Sequence, residues 1–389
     1  MVVVDRADEH LRGRLAPDGL ALLRLPARAR VALAREAGLE LGPSVLDVGG
    51  RLVPAERAAV RWALGSVATS ARGRLAGFAP GRVLGYAAPA AIARRPGSRP
   101  LGAWLRARGS GTAVVAARGA AFLLDGEGLR LAAKVGDGLP ARRELTEGRA
   151  LAELGPAARA AGADVPEVIE EGELGDRPLL VTSGVEGRPA SVLLAERRGR
   201  RDALVERIAD WLLRWNVATA AETSFSRELL ERELLAPAGA VGLPDSYVSE
   251  LERMGRAAEG KPVRLVAAHN DLTTANVLVA GGGRLAVVDW DTAAPRALPL
   301  ADLFYALADA EAATRGFADR VAAFFAAPRG EHERRSRDAL GLDEAVADLC
   351  FHACWLRHAA NEALRPEEQA RPFLEIVRAI AARRLRMGR

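Results

Sequence analysis

The sequence predicts an α+β chain: a small antiparallel sheet followed by a mostly helical half, with a further α/β segment ahead of both. Three observations carry this. Three strand-like runs, 112–117, 121–125 and 129–135, follow one another with only tight turns between them, the last being Gly126-Glu127-Gly128. From Val192 onward, apolar residues recur mostly at helical spacing. One hairpin interrupts those helices, where the apolar runs 276–280 and 284–290 flank Gly281-Gly282-Gly283.

Taken in order, residues 1–105 read as an accessory α/β segment, with short strands at 21–25 and 44–48 and helical patterns at 27–37 and 55–64. Within it, Val45-Leu46-Asp47-Val48-Gly49-Gly50 resembles the first turn of nucleotide- or methyl-donor-binding sheets, but the G-x-G-x-x-G spacing is absent. The Pro-, Gly- and Arg-rich stretch 94–111 is the expected boundary. The meander follows, joined at its first turn by Arg118-Gly119-Ala120 and carrying Lys134 near the end of its third strand. A helix is expected over 141–154 with Glu144 and Glu147 on it, then strands at 165–170 and 178–181. The expected division is 1–105, 106–185 and 186–389, the last containing the hairpin segment 267–291. In the helical half, Trp211 and Trp215 stand one turn apart and read as core. Cys350, Cys354 and His358 share a helix face at the same spacing; a metal face is conceivable there, and small buried side chains are the simpler reading.

Polar residues cluster where the hairpin begins and ends: His269, Asp271 and Asn276 before its first strand, Asp289 and Asp291 after its second. His269-Asn270-Asp271-Leu272, with Asn276 five positions after Asp271, matches the pattern H-x-D-L-x-x-x-N, and Asp289 stands where the Asp of D-F-G falls. Phosphoryl transfer needs these residue types. A divalent cation on a triphosphate takes hard oxygen ligands, and a carboxylate can accept the proton of an attacking hydroxyl.

The stretch resembles the aminoglycoside phosphotransferase and choline kinase family, whose usual form is H-G-D-x-x-x-x-N followed by a hydrophobic strand and D-W or D-x-E/D. Val287-Val288-Asp289-Trp290-Asp291 has Trp where protein kinases carry Phe. The resemblance runs from about Gly111 to the end, and Asn270 replaces the usual Gly. It implies a two-lobed protein-kinase-like fold. It also implies ATP and Mg²⁺ as cofactors, Asp271 as the catalytic base and Asn276 and Asp289 as metal ligands. Lys134, in Leu-Ala-Ala-Lys-Val, would grip the ATP phosphates as the Lys of V-A-I-K does. Glu147 fits the family's R-E-A-x-x-L pattern as the partner of that lysine, with Glu144 the alternative. Backbone groups around Ser183 and Val185 would meet adenine at the interlobe hinge. Asp302 matches the acid of the family's D-P-x-x-D-L-A and reads as a brace of the catalytic loop, and His269 as a structural hydrogen-bonding residue.

Composition narrows the partners. The 389 residues carry a net charge of +5, but the positive charge is scattered Arg, with Lys134 and Lys261 the two lysines. No basic stripe interleaves with aromatics, so nucleic acid is not an expected partner. No run reaches the length of a membrane span, and the N-terminus lacks the pattern of a signal peptide, so a cytoplasmic enzyme is expected. The expected reaction moves the γ-phosphate of ATP to a hydroxyl of a small molecule: a sugar, glycoside, amino alcohol or aminoglycoside-like antibiotic. The near balance of acids and arginines after Asp302 favours a neutral or anionic acceptor over a polycation. The alternatives are a kinase-like nucleotide-binding module with weak turnover, and a transferase centred on 1–105. The sequence leaves the oligomeric state open.

Overall fold

A computed structural model of the chain describes residues 2–4, 20–23, 28, 33–35, 39–48, 51–54, 59–60, 62–63, 87–94, 101–108, 113–117, 120–125, 128–136, 146–175, 177–196, 201–315, 320–327, 330–364 and 367–387. Two compact units share them. One comprises Met1–Arg142 with Pro166–Arg188, the other Arg143–Val165 with Pro189–Arg389. Glu144, the turn residues 118–119 and 126–127, and residues 95–100 and 109–111 of the expected boundary stretch lie outside the described residues.

The first unit is built on one sheet. Its strands are β1 (Val2–Val4), β2 (Leu20–Leu23), β3 (Glu40–Val48), β4 (Arg51–Pro54), β5 (Ala87–Arg94), β6 (Ala113–Ala117), β7 (Ala120–Leu124) and β8 (Leu129–Val135). After the two-residue β9 (Ala163–Asp164) of the other unit come β10 (Val168–Leu174) and β11 (Arg177–Ser183). The described strands run β1-β2-β5-β3-β4-β6-β7-β8-β11-β10. The meander β6–β8 forms because its apolar residues alternate: Ala121, Leu123, Ala133 and Val135 share a core with Val181 of β11 and Leu105 of the short helix α1 (Leu101–Arg106). The pairing of Leu52 with Ala116 continues the sheet from the N-terminal strands into the meander.

That continuity corrects one reading. Gly49 and Gly50 lie outside the described residues, but Val48 of β3 pairs antiparallel with Arg51 of β4, so the Val45–Val48 stretch is followed by a strand that pairs with it. A nucleotide- or methyl-donor loop needs a helix N-terminus after its glycines, and here a strand follows.

The second unit is mostly helical. Its helices are α2 (Glu147–Ala160), α3 (Ala190–Glu196), α4 (Arg201–Thr219), α5 (Arg227–Leu230), α6 (Ala236–Ala240) and α7 (Asp245–Ala258), then α8 (Ala301–Thr314), α9 (Arg320–Ala326), α10 (Gly330–Leu340), α11 (Glu344–Glu362) and α12 (Glu367–Met387). A π-helical turn, Glu231–Leu235, joins α5 to α6. Of the helix expected at 141–154, residues 141–145 lie outside the described residues; α2 opens at Glu147, where the Thr146 hydroxyl caps it by accepting the N–H of Arg149 at 3.2 Å. Trp211 and Trp215 are fully buried and stacked at 5.2 Å, as their spacing predicts, and Trp211 donates to the Ala158 carbonyl of α2. No helix among the described residues is long and apolar enough to cross a membrane.

After β12 (Arg188–Pro189) and β13 (Ala221–Ser224), β14 (Pro262–Ala268) leads into the polar loop. The hairpin itself is β15 (Val277–Val279) and β16 (Leu285–Val287), shorter than the apolar runs suggest, and β17 (Ala294–Ala297) returns to pair with β14. The glycine turn is required by geometry at Gly283: φ is +82°, and a Cβ there would meet Arg207, which donates to the Gly283 carbonyl at 3.0 Å.

Candidate active site

The loop 269–276 is held by side chains, not by a ladder. His269 is fully buried between Trp290, edge-on at 5.1 Å, and the backbone of Val288, whose carbonyl its Nε2 meets at 3.1 Å. A carbonyl only accepts, so Nε2 carries the proton. Burial pushes the His269 pKa down, against the pull of Asp302 and Asp289, and the ring is neutral. It is a structural residue, as the sequence suggests.

Asp302, in the first turn of α8, accepts the N–H of His269 at 2.6 Å and that of Asn270 at 2.9 Å. Two turns along the same helix, Asp309 accepts the N–H and the hydroxyl of Thr274 at 2.7 and 2.5 Å. One helix face therefore grips both ends of the loop. Burial pushes both carboxyl pKa values up, although each hydrogen bond pulls the other way. Thr292 adds a further tie, its hydroxyl donating to the His269 carbonyl at 2.9 Å. Asp302 is legible as a brace in the sequence. Asp309 and Thr274 are not singled out there, although the spacing of seven from Asp302 marks the same helix face.

Between these anchors stand the chemical groups. Asp271 is half-buried, and Asn276 Nδ2 donates to its carbonyl at 2.9 Å and to its Oδ2 at 3.2 Å. That fixes the amide of Asn276 so that its oxygen is the end left to meet a cation. The N–H of Val288 donates to the Asn276 carbonyl at 3.0 Å, which sets Asn276 and Asp289 at the same open end of the hairpin. Their side chains carry one amide and one carboxylate oxygen, hard donors of the kind that could hold Mg²⁺. Asn270 (φ +63°), Asp289 (+68°) and Leu300 (+69°) are the non-glycine residues with positive φ among those described, and all three flank this loop or its brace. Backbone held in that region is a mark of functional loops.

Glu147, at the start of α2, accepts the N–H of Trp290 at 3.3 Å, while Trp290 is fully buried against Trp215 and donates to the Val287 carbonyl. The helix carrying Glu147 is thereby tied to the residue after Asp289. The structure so brings Asp271, Asn276, Asp289, Glu147, His269 and Asp302 together in one unit.

Lys134, Ser183 and Val185 belong to the other. Lys134 lies on β8, paired with Ala120 of β7 and Leu180 of β11, and is half-buried. Ser183 ends β11; its N–H donates to the Glu167 carbonyl at 2.8 Å, and its hydroxyl accepts the Glu167 N–H at 2.9 Å. Gly184 next to it lies so close to the Leu129 carbonyl that a Cβ would sit 2.0 Å from that oxygen, so the chain leaves β11 at a fixed angle before half-buried Val185.

The Cys350–Cys354–His358 face is core. Both cysteines are buried, Cys354 Sγ donates to the Ala301 carbonyl at 3.3 Å, and His358 stacks on Tyr305 at 3.7 Å. Burial pushes both thiol pKa values up, away from the thiolate a metal needs. Among the described residues no group of three or more His, Cys, Asp or Glu side chains is arranged to hold a metal ion.

The sequence profile of the phosphotransferase enzyme family matches residues 103–339. No curated protein sequence gives a significant match. Among solved structures, the chain is similar to the GDP complex of an aminoglycoside 2'-phosphotransferase-IIIa variant, at 16% identity over 71% of this chain and 90% of that one, with a TM-score of 0.43. It is similar to the AMP-bound spectinomycin phosphotransferase APH(9)-Ia at 12% identity over 67% and 86%, with a TM-score of 0.40. For APH(3'')-Id from Streptomyces rimosus the values are 23%, 64%, 94% and 0.36.

Proposed function

Because the chain belongs to the phosphotransferase enzyme family, we propose that it transfers the γ-phosphoryl group of ATP to a hydroxyl of a small molecule. The observation that supports this best is the braced loop. Asp271, Asn276 and Asp289 stand at one end of the hairpin: Asn276 Nδ2 donates to the Asp271 carbonyl, and Val288, the residue before Asp289, donates to the Asn276 carbonyl.

In this reading Asp271 accepts the proton of the attacking hydroxyl, and the Asn276 amide keeps its carboxylate aimed. Asn276 Oδ1 and the Asp289 carboxylate would hold Mg²⁺, which would supply positive charge against the phosphates. Lys134 grips the α- and β-phosphates, and Glu147 is assigned to hold that lysine in place. With the Ser183 N–H and hydroxyl engaged by Glu167, its carbonyl and the backbone of Val185 are the groups offered to adenine. The acceptor is a sugar, glycoside or other neutral or anionic alcohol ahead of a polycation, since acids and arginines after Asp302 nearly balance.

The test is a screen of ATP consumption with Mg²⁺ against sugars, amino alcohols and aminoglycosides, with product phosphate esters read by ³¹P NMR. An ester forming with at least one acceptor is the expected result. Mg²⁺-dependent ATP binding without turnover on any of them would instead favour a nucleotide-binding module.

A further inference from the structure

We propose that Arg357 and Glu233 are positioning residues for phosphoryl transfer, holding the Asp271 loop through the side chain of Asn270. The proposal rests on the role given to Asp271 above.

Asn270 precedes Asp271 and has φ +63°, a conformation that glycine adopts freely and that other residues adopt at a cost. Glycine is the usual residue at this point of the motif. Asn offsets the cost with its amide: Nδ2 donates to the Thr292 carbonyl at 3.0 Å, and Oδ1 accepts from Arg357 Nη1. With its N–H on Asp302, Asn270 is tied in three directions.

Arg357 comes from α11, and its other amino group, Nη2, donates to Glu233 Oε2. A guanidinium is a rigid planar fork, so a carboxylate on one arm fixes where the other arm points. Glu233 is well placed to do this. It sits in the π-helical turn Glu231–Leu235, nearly buried, with Arg232 donating to its second oxygen at 2.9 Å. Burial alone would raise its pKa, but the guanidiniums of Arg357 and Arg232 outweigh it and keep the carboxylate charged. π turns recur at functional sites because the extra residue re-aims a side chain. Here the carboxylate meets the arginine that reaches Asn270, the residue before Asp271.

An ion pair serving only to join helices would need no arm on Asn270. The experiment therefore compares Asn270→Gly, Arg357→Lys and their combination. It reads Mg²⁺-ATP hydrolysis with water as acceptor, and backbone hydrogen exchange over 267–276. Asn270→Gly suits the backbone but removes the amide, and Arg357→Lys keeps the charge but loses the fork. Each is expected to lower kcat ~10- to 100-fold, the loss that a slightly misplaced catalytic group brings, with KM for ATP nearly unchanged and faster exchange in the loop. The double variant should be no worse than the more affected single one. Multiplying losses, or loop exchange unchanged in both single variants, would overturn the proposal. If the wild type hydrolyses no ATP, the phosphotransferase reading is in question, and the exchange data still decide whether the brace exists.

Discussion

Asp309 accepts both the N–H and the hydroxyl of Thr274, at 2.7 and 2.5 Å, seven residues along α8 from the Asp302 that accepts the N–H groups of His269 and Asn270. The loop is thus clamped by two buried carboxylates on one helix. Asp309→Ala leaves a buried N–H and a buried hydroxyl without their acceptor, at about 1–3 kcal/mol per group. Thr274→Val removes one donor and keeps the shape, so it costs about 1 kcal/mol. Urea unfolding at pH 7.5 should rank the variants in that order with an unchanged m-value. Equal stabilities for all three proteins would show that the clamp does not contribute.

Asp271→Asn keeps the size of the side chain and removes the charge that accepts a proton. Loss of a general base costs ~10²–10⁴ in rate, while Lys134, Asn276 and Asp289 are untouched. Nucleotide affinity and Mg²⁺ dependence are therefore expected to persist while transfer slows. Normal turnover at saturating ATP together with weakened ATP binding would make Asp271 a binding residue instead.

Asp289 has φ +68°, where an L side chain is strained and glycine is not. Asp289→Gly relieves that strain but gives the unfolded chain more freedom, so the two effects offset to within about 1 kcal/mol. Turnover should disappear because a metal-ligand candidate is gone. A stable, inactive variant whose Mg²⁺-dependent nucleotide binding is lost is the expected result. Undiminished turnover would remove the metal assignment.

The parts of this arrangement that were legible in the sequence are local ones. The hairpin shows in its apolar runs and glycines, β8 as a strand-like run after a tight turn, and the Trp211–Trp215 pair in its helical spacing. Asp302 showed only through a motif. Arg357 reaches Asn270 from 87 positions downstream, and Glu233 meets that arginine from within a π turn, and no periodicity encodes either fact. The join of β4 to β6 rests on a single long-range pairing, Leu52 with Ala116. No local pattern in the sequence announces such a pairing. Of the helix expected over 141–154, residues 141–145 lie outside the described residues, and α2 is described from its Thr146 cap onward.

His358 supplies a pH test that does not depend on the reaction. It lies buried on Tyr305, ring centroids 3.7 Å apart and nearly parallel. Burial, with Arg357 nearby, lowers its pKa to about 3, against about 6.5 in an unfolded chain. The unfolded chain therefore binds the proton more tightly. The stability this histidine contributes is fully present above pH 6.5 and is lost progressively as pH falls from there toward 3. Buried His269 acts in the same sense. Asp302 and Asp309, with pKa values raised by burial, act in the opposite sense at the acid end, and Glu233, held charged, adds to the loss there. The clean quantity is thus the difference between wild type and His358→Phe, which keeps a ring on Tyr305 and removes the proton site. Between pH 6.5 and 5.5 the wild type should lose ~1 kcal/mol more stability than the variant. Urea unfolding at the two pH values measures it, and parallel losses in the two proteins would show that His358 is protonated as easily in the folded chain as in the unfolded one.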